Sequence, residues 1–132
     1  MIDTDFKTQL VDVCKQTIPD MKLLYLFGSY ASNQAHKSSD IDIAILPIKK
    51  LSTVTRWEMQ QTLAEKLQRE VDLIDFLSAS TVMQKEIISK GICLYDDNQF
   101  KDVFEMQVMS MYQHLNEERS ELLTAFKGVD HG

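Results

Sequence analysis

Four residues in the first third of the chain have types and spacing suited to chemistry: Gly28, Ser29, Asp40 and Asp42. Asp40 and Asp42 stand two apart in the run DIDIAIL, residues 40–46, where isoleucines alternate with aspartates and an alanine. In a strand that spacing projects both carboxylates from one face, roughly 6–7 Å apart along the backbone. Unneutralised, such a pair repels and each member raises the other's pKa. Water relieves the repulsion on an exposed face. A hard divalent cation relieves it better, because magnesium prefers carboxylate, phosphate and water oxygens. Gly28 and Ser29 close the apolar run KLLYLF. Glycine after a strand allows a tight turn and close backbone approach. The Ser29 hydroxyl and the amides beside it can hold an anion. If the two strands are neighbours, phosphate oxygens at the turn lie close to a cation at the aspartates. That geometry suits nucleotidyl transfer: one metal holds a triphosphate, and a second lowers the pKa of an attacking hydroxyl. Protein side chains then supply position and charge.

A two-metal site usually wants a third carboxylate. The run EVDLIDF, residues 70–76, offers Asp72 and Asp75. They are three apart and so point to opposite faces, and alternation does not choose between them because neither face is purely apolar. Ser39, at the end of the intervening loop, shapes the entry to the strand and can reach a phosphate. Lys37 and His36 lie in the same loop and read most simply as solvated. Tyr25, Tyr30 and Trp57 can each stack on a base, but Tyr25 sits in an apolar run and reads as core.

These residues need elements to hold them. Residues 4–17 place Phe6, Leu10, Val13 and Cys14 on one helical face, closed by Pro19. The run 22–27 has the length and aromatic content of a buried strand. The stretch SYASNQAHKSS has no periodicity and reads as a loop that begins with a helical turn. Pro47 ends the strand 40–46. Thr55 with Glu58 makes a capping box for a helix to about Arg69, with a stripe of Met59, Leu63 and Leu67 beside Ala64. Residues 70–76 read as another strand. Ser78 or Ser80 caps a helix through Lys90, with Gly91 after its end. ICLY, residues 92–95, reads as a short strand or extended segment. One long helical pattern follows from about 98 to 127, and the tail KGVDHG reads as frayed. Its stripe of Phe104, Val108, Met111 and Leu115 is a core face, and three methionines between 106 and 111 also suit a partner surface. The order is α–β–loop–β–α–β–α–(β)–α, an α/β domain on a small sheet of three to four strands with packed helices.

With 132 residues, 44% hydrophobic and 26% charged, the chain fits one domain spanning 1–132, with a core at about 20–95 and a long C-terminal helix. A formal charge of −6 argues against a broad nucleic-acid surface, and nucleic acid is not expected as a direct partner. No apolar run approaches a membrane span and no signal peptide is visible, so the expected location is the cytoplasm. The two cysteines, Cys14 and Cys93, have no metal-ligand spacing and read as reduced, packed thiols.

The segment GSYASNQAHKSSDIDIAIL resembles the Gly-Ser…Asp-x-Asp signature of the DNA polymerase β-like nucleotidyltransferases. It looks most like the minimal nucleotidyltransferase (MNT) group, whose members occur as antitoxins beside HEPN-domain toxins. The resemblance covers about residues 20–95, through VDLIDF and GICLYDD, and the ten-residue gap between Ser29 and Asp40 makes it specific. It implies the polymerase β-like fold, a small mixed sheet with packed helices and a long C-terminal helix. It implies that Asp40 and Asp42 bind Mg2+, in two ions, and that Gly28 and Ser29 hold the triphosphate of ATP. It places the third carboxylate at Asp72. It also implies transfer of AMP to a tyrosine of a HEPN ribonuclease toxin, which silences the toxin. Many relatives carry an arginine and a second glycine just after Gly-Ser, where this chain has Tyr30, Ala31 and Ser32. Two rival readings remain at this level: an antitoxin that acts by occlusion alone, and a transferase for a small molecule of aminoglycoside type. The second has little room for a substrate domain.

Overall fold

The computed structural model describes residues 4–32 and 40–130, with side chains described through Phe126. The elements run α1 (Thr4–Thr17), β1 (Leu23–Phe27), β2 (Ile41–Leu46), α2 (Thr53–Leu67), β3 (Val71–Asp75), α3 (Thr81–Lys90), β4 (Ile92–Asp96) and α4 (Phe100–Asp130). The strands form one mixed sheet in the order β3-β2-β1-β4. β1 pairs antiparallel with β2 and with β4, and β2 pairs parallel with β3.

Period-two alternation gives each sheet face its own core. Ile41, Ile43, Ile45, Leu24, Leu26, Val71 and Leu73 pack beneath α1 and α2, with Leu10, Cys14 and Leu63 from those helices. Leu23, Tyr25, Ala44 and Phe76 pack on the other face with Ile87 of α3 and Phe104 and Val108 of α4. The product is a helix–sheet–helix sandwich in which parity assigns the residues of β1, β2 and β3 to a layer, while a register shift against β1 puts both Leu94 and Tyr95 of β4 on the α1–α2 side. α4 is fastened to the sheet by more than apolar contact. The Tyr25 hydroxyl donates to Glu105, and burial followed by that bond pushes the phenol well above its ordinary range.

The helix boundaries differ in detail from the sequence expectation. α2 starts three residues earlier than the Thr55 cap implies. Ser52, in an extended conformation, accepts from Thr55 N at 3.1 Å and is the true cap, so the Thr55–Glu58 box is not used. Ser80 rather than Ser78 caps α3, accepting from Met83 N at 3.1 Å. Gly91 follows α3 as expected, but its φ is −84°, not left-handed. Its need for glycine is close approach: a β-carbon there would lie 2.5 Å from the Ile87 carbonyl and 3.0 Å from that of Leu26. Residues 92–96 form a true strand, and α4 continues to Asp130 instead of fraying at Lys127. Both cysteines are free, and burial pushes the Cys14 thiol up to about 12.

Candidate active site

The site grows out of one row across the sheet. Phe27 pairs with Asp42 across β1 and β2, and Asp42 pairs with Asp72 across β2 and β3. One row further in, Tyr25, Ala44 and Ile74 stand in register and are covered by the α3–α4 core. The two acids therefore share a sheet face with a dry core, at the edge where helix cover ends. Asp40 immediately precedes β2 and is exposed. Burial first, then the charge of Asp72, then that of Asp40, raises the pKa of Asp42 above its ordinary value.

Register settles what alternation left open. Asp75 pairs with Ile45 and so faces the α1–α2 side, opposite to Asp42. It is 1% exposed and fully engaged. Leu77 N donates to Oδ1 at 2.8 Å, and Leu51 N (2.8 Å) and Ser78 Oγ (3.2 Å) donate to Oδ2. These bonds fasten the β3–α3 turn to the segment before α2, which is a structural task. Asp72 stands on the face of Asp42 with its side chain exposed.

The Gly-Ser turn meets the same row. Gly28 has φ +71°, a left-handed conformation, and a β-carbon on it would lie 2.2 Å from Asp42 Oδ2. The carboxylate occupies the space a side chain would need. Beyond Gly28 the backbone takes one helical turn, in which Ser32 N donates to Gly28 O at 3.2 Å and Ser32 Oγ to Ser29 O at 3.3 Å. Gly28, Ser29, Asp40, Asp42 and Asp72 are thus gathered at one end of the sheet. Ser39, with His36 and Lys37, lies outside the described residues.

Of the aromatic candidates, Tyr25 is core at 1% exposure. Tyr30 faces the α1 side, stacked on Phe6 with centroids 5.2 Å apart and bonded to Arg69, and does not reach the acids. Trp57 lies exposed on α2. Sequence reasoning did not single out Arg56 and Gln60, which guard the outer edge of β3. Gln60 Oε1 accepts from Leu73 N at 2.9 Å, and Arg56 Nη1 donates to Leu73 O at 3.1 Å and to Gln60 Oε1 at 3.3 Å. Their i, i+4 spacing on α2 is visible in sequence, but only the register of β3 gives it meaning.

The donor set fits a hard cation. Burial does most to raise the pKa of Asp42, and the charges of Asp72 and Asp40 add to it, a repulsion that a divalent ion would relieve. Among the described residues no group of three or more His, Cys, Asp or Glu is drawn close enough to encircle an ion.

A parallel–antiparallel sheet with a glycine turn against paired strand carboxylates defines a nucleotidyltransferase site. Residues 8–100 match the polymerase beta nucleotidyltransferase family, and the chain belongs to it. It is 39% identical over 117 residues to the protein adenylyltransferase MntA of Shewanella oneidensis, covering 89% of this chain and 84% of that protein. It superposes on a chain of a toxin–antitoxin crystal structure with AMP-PNP at a TM-score of 0.80 and 39% identity, covering 90% of this chain and 96% of the other. It also superposes on a chain from the complex of tri-AMPylated Shewanella oneidensis HEPN toxin with MNT antitoxin, at a TM-score of 0.74 and 37% identity over 90% of this chain and 93% of the other.

Proposed function

We propose that this chain is an antitoxin-type protein adenylyltransferase, which moves AMP from ATP to a tyrosine hydroxyl of a partner HEPN ribonuclease toxin and thereby neutralises it. The observation that carries the reading is the convergence of Gly28 on Asp42, with Asp72 beside Asp42 in the same row. The similarity to MntA and to the toxin–antitoxin complexes supports the choice of acceptor and partner.

Asp40, Asp42 and Asp72 would hold Mg2+ as two ions, with phosphate oxygens completing the ligand set. When bound, Mg2+ neutralises the triphosphate and favours the ionised acceptor. The chain's own residues do the rest. The amides and hydroxyl at Gly28 and Ser29 bind the β- and γ-phosphates and hold the leaving pyrophosphate, and Ser39 adds to that cradle. Asp72 orients the tyrosine hydroxyl and takes its proton at a carboxylate oxygen. The phenolic oxygen attacks the α-phosphorus, the bond to the β-phosphate bridging oxygen breaks, and pyrophosphate departs with that electron pair. Position and fixed charge account for most of the acceleration.

Among the described residues no helix is long and apolar enough to cross a membrane. We place the protein in the cytoplasm, beside its partner, with residues 1–132 acting as one nucleotidyltransferase domain. The test is intact-mass analysis of the co-expressed partner. The wild-type chain with ATP and Mg2+ adds AMP-sized increments, and Asp40→Ala/Asp42→Ala adds none. An unchanged partner mass with the wild-type chain, or full transfer by the double variant, refutes the reading.

A further inference from the structure

A groove of about 380 Å³ runs along the outer edge of β3. It starts at Asp72, passes Ile74 and Ala79, and ends against Met83 in the first turn of α3, with Arg56 of α2 on its rim. That volume lies in the range of small-ligand sites, roughly 300–1,000 Å³. We infer that this groove receives the acceptor tyrosine of the partner, with Met83 and Arg56 as the residues that select it. The inference rests on the transfer reaction proposed above and adds to it where the acceptor enters.

Three observations favour a tyrosine over a nucleotide there. First, the groove joins the reacting row only at Asp72; the turn at Gly28 lies on the far side of Asp42, because β1 and β3 flank β2. A phosphate chain at the turn and an acceptor at β3 can then approach from opposite sides. Second, the edge is closed to a pairing strand, because Gln60 and Arg56 already occupy the Leu73 N–H and C=O. A partner must therefore enter by a side chain rather than by adding a strand. Third, the lining suits a phenol. Asp75 and Ser78 also border the groove, but Ser78 Oγ donates to Asp75 at 3.2 Å, so both are spent internally. What remains is Ile74, Ala79 and the Met83 thioether for the ring, the flat face of the Arg56 guanidinium, whose Nη1 is held in place by Leu73 O and Gln60, and the Asp72 carboxylate for the hydroxyl.

The test measures AMP transfer to the purified partner at varied partner concentration, alongside calorimetric binding of Mg-ATP. Met83→Trp fills the groove. Met83→Glu places a carboxylate three residues after the Ser80 cap, where it completes a capping box and so leaves folding intact. Both variants are expected to raise KM for the partner at least about tenfold, with Mg-ATP affinity within about twofold of wild type, while Met83→Leu transfers like wild type. Transfer by Met83→Trp and Met83→Glu at the wild-type KM overturns the inference alone, and so does an equal loss of Mg-ATP affinity. Absence of transfer by the wild-type chain overturns the proposed function and this inference with it.

Discussion

Gly28 and Asp42 are packed so closely that a β-carbon on the glycine would lie 2.2 Å from Asp42 Oδ2, and the glycine holds φ at +71° to allow it. Two independent penalties therefore fall on any side chain at position 28. The left-handed backbone costs a non-glycine residue roughly 1–2 kcal/mol, and the carboxylate must swing aside. Gly28→Ala is expected to lose about 2 kcal/mol of stability by denaturant unfolding. It should also lose AMP transfer at temperatures where it remains folded. An alanine variant with wild-type unfolding midpoint and wild-type transfer would show that the turn does not touch the acid.

The electrostatics of Asp42 set a pH dependence with a definite sign. Its folded pKa is raised above the ordinary value of 3.8 by burial and by Asp72 and Asp40. The native state thus holds a proton more tightly than the unfolded chain. Stability from this group is largest below the ordinary value and is lost as pH rises through the folded pKa. In Mg2+-free buffer, Asp42→Asn is expected to flatten that fall in melting temperature while abolishing transfer. Added Mg2+ should raise the melting temperature of the wild-type chain near neutral pH and do so far less for Asp42→Asn. Equal Mg2+ responses in the two proteins would remove Asp42 from the ion site.

The sequence carried most of this arrangement because β1, β2 and β3 obey strict parity. Ile41, Ile43 and Ile45 could only face one way, which sent Asp42 the other. The stripe Met59, Leu63 and Leu67 likewise fixed the buried side of α2. What parity cannot supply is register between strands far apart in the chain. By alternation alone Asp72 and Asp75 are equivalent; the family resemblance points to Asp72, and the register sets Asp72 opposite Asp42. The same register exposes the Leu73 backbone and gives Arg56 and Gln60 their task. Caps were misread by local competition: Ser52 and Thr55 are both plausible N-caps, and the choice turned on the extended backbone at Ser52.

α4 divides into two halves with different energetics. Phe104 and Val108 are buried against the sheet at 8% and 4% exposure, whereas Leu122, Leu123 and Phe126 are 71%, 55% and 67% exposed. Replacing the three distal residues by glutamine, a good helix former, should change the unfolding free energy of the isolated chain by no more than about 0.5 kcal/mol. Phe104→Ala should cost about 3–5 kcal/mol, since it empties a site that also holds Phe76, 4.8 Å away by ring centroid. A distal variant that destabilises the isolated chain as much as Phe104→Ala would mean that the far end of α4 folds back onto the domain.

Asp72 and Asp75 differ by three positions and should separate stability from chemistry completely. Asp75 accepts from Leu51 N, Leu77 N and Ser78 Oγ while itself 1% exposed, so Asp75→Ala removes the shared acceptor of three donors and empties a buried position. Each orphaned donor costs about 1–3 kcal/mol. Relaxation and entering water reduce the sum, and the expected loss is about 3 kcal/mol or more in denaturant unfolding. Asp72 is exposed, and in the folded chain its charge only raises the pKa of Asp42. Asp72→Ala is therefore expected to leave stability unchanged or slightly improved, and to cut AMP transfer by at least about a hundredfold through loss of the proton acceptor. The decisive comparison is transfer by each variant at a temperature where both are folded. Retained transfer in Asp72→Ala with loss in a fully folded Asp75→Ala would exchange the two roles.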